Sequence, residues 1–453
     1  MTRRLTLAVL AAGWLLAGAM PASAHGIGGR LDLPVPIWLF VYGAAVVVVA
    51  SFVALGVLWK QPRLENGSRG RPLPLQGLFR SPVADGVLRA LSVVFFLVVL
   101  GAAAAGRDVA SQNLAPYVVY IWFWVGLAFV HALLGNWWAT ISPWDSIARF
   151  LGIGERPRRP YPPAWGMWPS ALVIFVFVWL ELILPEGANP RVLAVAITLY
   201  TVITLGGMAV FGREAWGRHA EGFAVYFRLL SMIAPFGRDD DGRAVVRAPL
   251  SGLPRLQPRP GLIALVMVVL GSTTFDGYTG TAFWRESTVD LGPVALAVTG
   301  TVAMLATILL AAGAYALAML ATSAITQTPW HPLATRFVHS LVPIAFAYVA
   351  AHYFSLMILE GQGGVAFLSD PFSLGWDLFG TAGGGIDYSV LTATAIWYVQ
   401  VGAIVLGHVA GVVLAHDRAL AAFPSKIAVR TQYALLAVMV LFTVGGLVIL
   451  SGG

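Results

Sequence analysis

Stretches of about 20 apolar residues, divided by short polar segments, set the limits on how this chain can fold. They fall near 36–59, 88–106, 117–141, 166–186, 191–211, 261–275, 291–322, 337–360, 391–415 and 432–451. A helix of roughly 20 such residues spans the ~30 Å hydrocarbon core of a bilayer. In lipid, only helices and closed barrels satisfy every backbone N–H and C=O internally. A large soluble core would instead break these runs with polar positions at helical period. Only 11% of the 453 residues are charged and 58% are hydrophobic, whereas a soluble chain uses roughly a quarter charged residues to cover its surface. The expected fold class is all-α: a polytopic transmembrane helical bundle of about ten transmembrane helices.

Arg3 and Arg4 precede a short apolar stretch, 5–17, and then Ala22-Ser23-Ala24. This is the pattern of a secretory signal peptide, so 1–24 is expected to be removed and 25–453 to form a single integral membrane domain. Cleavage after Ala24 makes His25 the first residue. An N-terminal His offers an α-amino group and a ring nitrogen to one metal ion, and copper suits such donors. The plain alternative is that His25 follows the cleavage site by chance.

The net charge of +7 is a topology signal. With the mature N-terminus outside, the loops 60–87, 142–165, 212–260, 323–336 and 416–431 are cytoplasmic. Of the 28 Lys and Arg residues, 22 lie in or beside these loops, two in the signal peptide, and four (Arg30, Arg107, Arg191 and Arg285) outside. The positive-inside rule favours that orientation: a multi-pass protein of the plasma (inner) membrane with both mature termini extracytoplasmic. The charge therefore gives no reason to expect nucleic acid as a partner. The expected partners are the lipid bilayer and a small apolar substrate; oligomeric state is left open. The absence of cysteine excludes disulfides, thiolate metal sites and cysteine nucleophiles.

Within 212–260, EAWGRHAEGFAVYFRLLSMIAPF mixes apolar and basic residues as an amphipathic helix at the inner surface would, and RDDDGR reads as a solvated turn. The sixth span, short before GSTTFDGYTG, reads as broken at its outer end.

Ionisable groups at membrane depth are candidates for function because their burial costs a few kcal/mol each. His131 and His408 fall at similar depth in the inner half, where two histidines would suit a haem, or each would simply hydrogen-bond a neighbouring helix. Gly407 and Gly411, flanking His408, suggest close helix packing. His339 opens the eighth span. His416 lies at the inner boundary, where its loss should be nearly silent. His352 belongs to the outer half, and Glu360 follows two helical turns later on roughly the same face. The exterior segment 361–390 then adds Asp370, Asp377 and Asp387 among aromatics and glycines. A histidine with carboxylates there would bind a divalent metal of unspecified identity, which would activate water. The candidate catalytic residues are thus His352, Glu360, Asp370 and Asp377, and the candidate metal ligands are His352, Glu360 and His25. In the plain alternative, 361–390 is a structured lid whose acids face water. Glu181 and Asp276 are further members of an exterior polar cluster.

HGIGGRLDLPVP at 25–36, HYFSL at 352–356, SDPFSLGWDLFGT at 369–381 and IWYVQVGAIVLGHVAGVVLAHDRA at 396–419 resemble a family of bacterial, chiefly actinobacterial, multi-pass membrane proteins named fenitrothion hydrolase. The resemblance implies a membrane-bound organophosphate hydrolase acting on phosphotriester bonds, and it carries over no catalytic residue. Such a substrate is apolar and concentrates in bilayers, so a site at the outer interface would meet it readily. The alternatives are a transporter, a metal-handling membrane protein, or a haem-binding electron-transfer subunit using the inner histidines.

The arginine asymmetry makes one test direct: alkaline phosphatase fused to the C-terminus should be active. An inactive fusion on a well-inserted protein would mean the chain crosses the membrane one time more or fewer than counted.

Overall fold

The computed structural model describes residues 37–65, 70–73, 81–239 and 241–450. The expected signal peptide and His25 lie outside them. In chain order the principal elements are α1 (Ile37–Leu58), α2 (Pro82–Ala105), α3 (Leu114–Leu134), α4 (Pro143–Phe150), α5 (Trp168–Leu182) and α6 (Pro190–Phe211). There follow α7 (Gly222–Ser231), α8 (Leu262–Thr279), α9 (Pro293–Thr326), α10 (Trp330–Ile358), α11 (Ala393–Ala422) and α12 (Arg430–Ile449). Among the described residues, nine helices (all of these but α4, α5 and α7) are long and apolar enough to cross a membrane. The chain is an all-α membrane bundle. The tenth expected span, 166–186, is the shorter α5, whose 15 residues make about 22 Å of helix.

Local chemistry starts and stops these helices. Ser81, Ser142 and Asn189 cap α2, α4 and α6, each followed by a proline in the first turn, where its missing N–H removes no intrahelical bond. α3 stops at Gly135, whose φ of 91° favours glycine; its N–H reaches His131 O at 3.1 Å. The middle of α3, Tyr117–Gly126, is wound as a π-helix, a geometry common at functional sites. α8 runs unbroken to Thr279, so the expected break at its outer end does not occur and Asp276 lies within the helix.

The glycines flanking His408 set one helix contact. A Cβ at Gly407 would stand 2.1 Å from Ala347 Cβ, and one at Gly411 would stand 2.9 Å from Ser340 O. α10 and α11 therefore touch nearly backbone to backbone, the arrangement the small-residue spacing suggests.

At the arginine-rich end, charged side chains tie helix ends together. Asp145 of α4 accepts from Arg89 at 2.9 Å, Arg149 at 3.0 Å and Arg213 at 2.6 Å. Burial opposes ionisation of Asp145, but the hydrogen bonds and charges of Arg213 and Arg149 outweigh it and hold the carboxyl below its ordinary range. A small antiparallel sheet lies in the loops, with Ala244–Val246 between Arg71–Pro72 and Phe236–Arg238. The expected solvated turn at RDDDGR is the tip of its hairpin, where Arg243 N–H donates to Asp239 Oδ1 at 2.7 Å.

Within 212–260, the stretch Gly222–Ser231 differs from a helix lying on the inner surface, whereas Arg213–His219 buries only Trp216. In α7, Gly222, Phe223, Val225, Tyr226, Phe227, Leu229, Leu230 and Ser231 are all buried, and α7 packs against α3, α5 and α10. Its basic residues suggested a surface helix, yet the aromatic and aliphatic side chains on all sides make it an inner element. The Arg228 side chain reaches back to Arg218 O at 2.6 Å.

Because Gly407 meets Ala347 with no room for a side chain, Gly407→Val should force α10 and α11 apart. The expected loss is on the order of 1–3 kcal/mol, read as a lower melting temperature and poorer recovery from detergent. Gly402→Ala, where nothing lies within 4 Å of an added Cβ, should be neutral by the same measurement.

Candidate functional site

Five helices converge on a group of polar side chains near the ends of α5 and α8. The His352 ring of α10 meets Asp276 of α8 at 2.8 Å through Nε2. The hydroxyl of Tyr353 donates to the same oxygen, Asp276 Oδ2, at 2.6 Å. Glu181 of α5 is within electrostatic reach of Asp276, of Tyr353, of Tyr120 on α3 and of Tyr226 on α7. Its Oε2 is buried with no hydrogen-bond partner among the described residues, as are the Tyr226 hydroxyl and Trp124 Nε1. Unsatisfied polar atoms in a membrane interior cost about 1–3 kcal/mol each, so three in one neighbourhood call for an explanation beyond packing.

A cavity of about 20 Å³ adjoins His352, lined also by Thr274, Gly277, Tyr348, Ala351 and Gly446. That is room for roughly one water molecule. With Nε2 taken up by Asp276, Nδ1 is the nitrogen left to act on such a molecule. His131 and His408 differ: each has its Nδ1 against the carbonyl four residues earlier, Leu127 O at 2.6 Å and Ile404 O at 2.9 Å.

His352 thus has a carboxylate partner, but a different one from those the sequence favoured. Glu360 lies eight residues on, about 12 Å along a helix axis, and accepts from the Tyr388 hydroxyl at 3.0 Å. Asp370 accepts from the N–H groups of Leu374 and Gly375, both at 2.8 Å. Asp377 accepts from Ala382 N–H at 3.0 Å, and Asp387 from Ser389 N–H at 2.8 Å. These hydrogen bonds hold turns of 361–390 in shape. Among the described residues no three His, Asp or Glu side chains group closely enough to hold a metal ion; His25 is outside those residues. The same loop leaves Leu374, Leu378 and Phe379 exposed, an apolar rim at this end of the bundle.

Of the inner histidines, His131 has both ring nitrogens engaged, whereas His408 Nε2 is buried with no hydrogen-bond partner among the described residues. His131 Nε2 accepts from Trp138 N–H at 2.9 Å while its ring stacks on Phe227, so a haem iron would have to displace an existing bond. His416, read as a boundary residue, is buried and bridges Gln432 Oε1 at 3.2 Å and Trp59 O at 3.1 Å. Asp417 beside it accepts from Trp59 Nε1 at 2.9 Å and from the N–H groups of Arg63, Leu64 and Glu65 at 2.6, 2.9 and 2.8 Å. A carboxylate with four donors fixes the chain leaving α1 against α11.

Glu221 escaped sequence reading because its segment read as a surface helix. It caps α7 by accepting from Phe223 N–H at 3.0 Å and Ala224 N–H at 2.7 Å, and also accepts from Trp138 Nε1 and the Tyr200 hydroxyl. The available signal was an acid immediately before an apolar run, as at a helix start. Glu221 is fully partnered where Glu181 is not, so Glu181 is the better functional candidate.

No family model, curated protein or solved structure matches this chain.

The partners of Asp417 and His416 make them structural. Asp417→Asn should lower stability by about 1–3 kcal/mol, seen as a fall in melting temperature, and His416→Ala should also destabilise. A normal melting temperature for both would show that this end of the bundle is held by other contacts.

Proposed function

We propose that this membrane protein is a hydrolase of apolar esters, of the phosphotriester class that its sequence resemblance implies, in which His352 is the general base. One observation carries the reading: a histidine that meets a carboxylate through Nε2 and lines a water-sized cavity. Asp276 holds the ring with Nε2–H donating, so Nδ1 keeps its lone pair. In the reaction, Nδ1 takes a proton from water as the water oxygen bonds to phosphorus. The bond from phosphorus to the aryloxide breaks and its electron pair leaves with the aryloxide. The proton on His352 then passes to the departing oxygen or to solvent. The products are a phosphodiester and a phenol. The exposed apolar residues of 361–390 favour substrate arriving from the bilayer, where such esters concentrate.

Glu181 favours a second reading. A buried carboxylate lacking a partner, near Asp276 and three tyrosines, is what a proton-coupled transporter uses to carry a proton through the membrane. In that case Glu181→Gln would abolish proton flux in proteoliposomes, and no ester would be cleaved.

The test is release of nitrophenolate from a p-nitrophenyl phosphotriester by purified protein in proteoliposomes. His352→Ala should lower the rate about 100-fold or more, the usual contribution of a general base, and Asp276→Asn should follow it. Glu360→Gln and Asp377→Asn should stay within a few-fold of the parent. Full activity in a well-folded His352→Ala variant would remove the general base assigned here.

A further inference from the structure

At the arginine-rich end of the bundle, away from His352, there is a cavity of about 330 Å³ lined by Leu256, Pro258, Thr335, Arg336, His339 and Arg418, among others. Its size suits a small-molecule group or a lipid headgroup. Two of its side chains are guanidinium donors, Arg336 and Arg418, and a third, His339, is an imidazole. His339 is 2% exposed; its Nδ1 lies 3.1 Å from Arg336 O, and its Nε2 has no partner among the described residues. Arg418 pairs with Glu65 at 2.6 Å through Nε and donates from Nη2 to Pro254 O at 2.9 Å. Arg336 makes no ion pair among the described residues. Asp417, the other nearby acid, is taken up by the loop after α1. Glu65 therefore pairs directly with Arg418 and lies within electrostatic reach of Arg336, while no carboxylate contacts Arg336 among the described residues and the buried His339 Nε2 has no partner among them.

We propose that this cavity binds a phosphate-bearing anion, in first place the headgroup of an anionic phospholipid. Arg336 would supply the charge, with Arg418 completing the cationic wall, while His339, whose Nδ1–H is directed at Arg336 O, offers Nε2 as a buried acceptor for a headgroup hydroxyl such as those of phosphatidylglycerol. Arginine matches the paired oxygens of a phosphate. Basic pockets between transmembrane helices are a recurring way to hold anionic headgroups. Leu256, Pro258 and Val338 add apolar surface that would lie beside the upper part of an acyl chain. A free phosphate offers the same oxygens, so lipid and free anion differ only in the chain attached.

Thermal stability of the full-length protein in mixed micelles separates the two sources. Phosphatidylglycerol, phosphatidylcholine and inorganic phosphate serve as the three probes. The expected result is stabilisation by phosphatidylglycerol over phosphatidylcholine, with half-saturation shifted at least five-fold in Arg336→Gln and unchanged in Arg243→Gln, a distant loop arginine. His339→Gln keeps an acceptor in place of Nε2 and should weaken the effect less than Arg336→Gln. Stabilisation by inorganic phosphate equal to that by phosphatidylglycerol, and lost in Arg336→Gln, would assign the site to a free anion. No preference for phosphatidylglycerol or phosphate over phosphatidylcholine, or a preference that survives in Arg336→Gln, would overturn the proposal. All arms read binding, so they stand or fall independently of ester hydrolysis.

Discussion

Inside a bilayer, every polar group must find its partner within the chain, because no water competes for it. The backbone meets this demand by winding into helices; side chains meet it one contact at a time. Asp417 with four donors, Glu221 with four, and His131 with both ring nitrogens engaged all satisfy it locally. Other side chains leave a buried polar atom without a partner among the described residues, His339, His408 and Trp397 among them, and three such side chains, Glu181, Tyr226 and Trp124, fall in one neighbourhood. Glu181 lies within electrostatic reach of Asp276 and of Tyr226, on which Trp124 stacks. The bundle is built around satisfied polar groups, and its chemistry is proposed where satisfaction is incomplete.

The membrane architecture was plain in the sequence because apolar runs of about 20 residues are a one-dimensional signal. The Gly407 and Gly411 spacing was legible for the same reason: a helix turns periodicity into a face. The burial of α7 was not. Its arginine and its place in a basic loop suggested the surface, and only its packing against α3, α5 and α10 shows where its aromatics go. His416 misled in the same way: position near a boundary says nothing of burial when a loop folds over it.

The proposed site was legible in part. His352 was identified by depth, and Glu181 and Asp276 were noted as exterior candidates. The choice of Glu360 as its partner followed helical phase along one helix, which ignores neighbouring helices. The carboxylate that meets His352 comes from α8, 76 residues earlier in the chain, and nothing in the local spacing reports that. Asp370 and Asp377 were drawn in by composition, but acids in glycine-rich loops commonly cap backbone N–H groups, as both do.

The two ends of the bundle thus have different characters: a histidine–aspartate pair, proposed to accept a proton, at one, and a cavity lined by two arginines at the other. The central claim concerns a single nitrogen, and ¹⁵N NMR of histidine-labelled protein in bilayers reads it directly, with His352→Gln assigning the signals. The account predicts neutral His352 protonated at Nε2 and unprotonated at Nδ1, with that preference lost in Asp276→Asn. A neutral ring protonated at Nδ1, or one indifferent to Asp276→Asn, would contradict it.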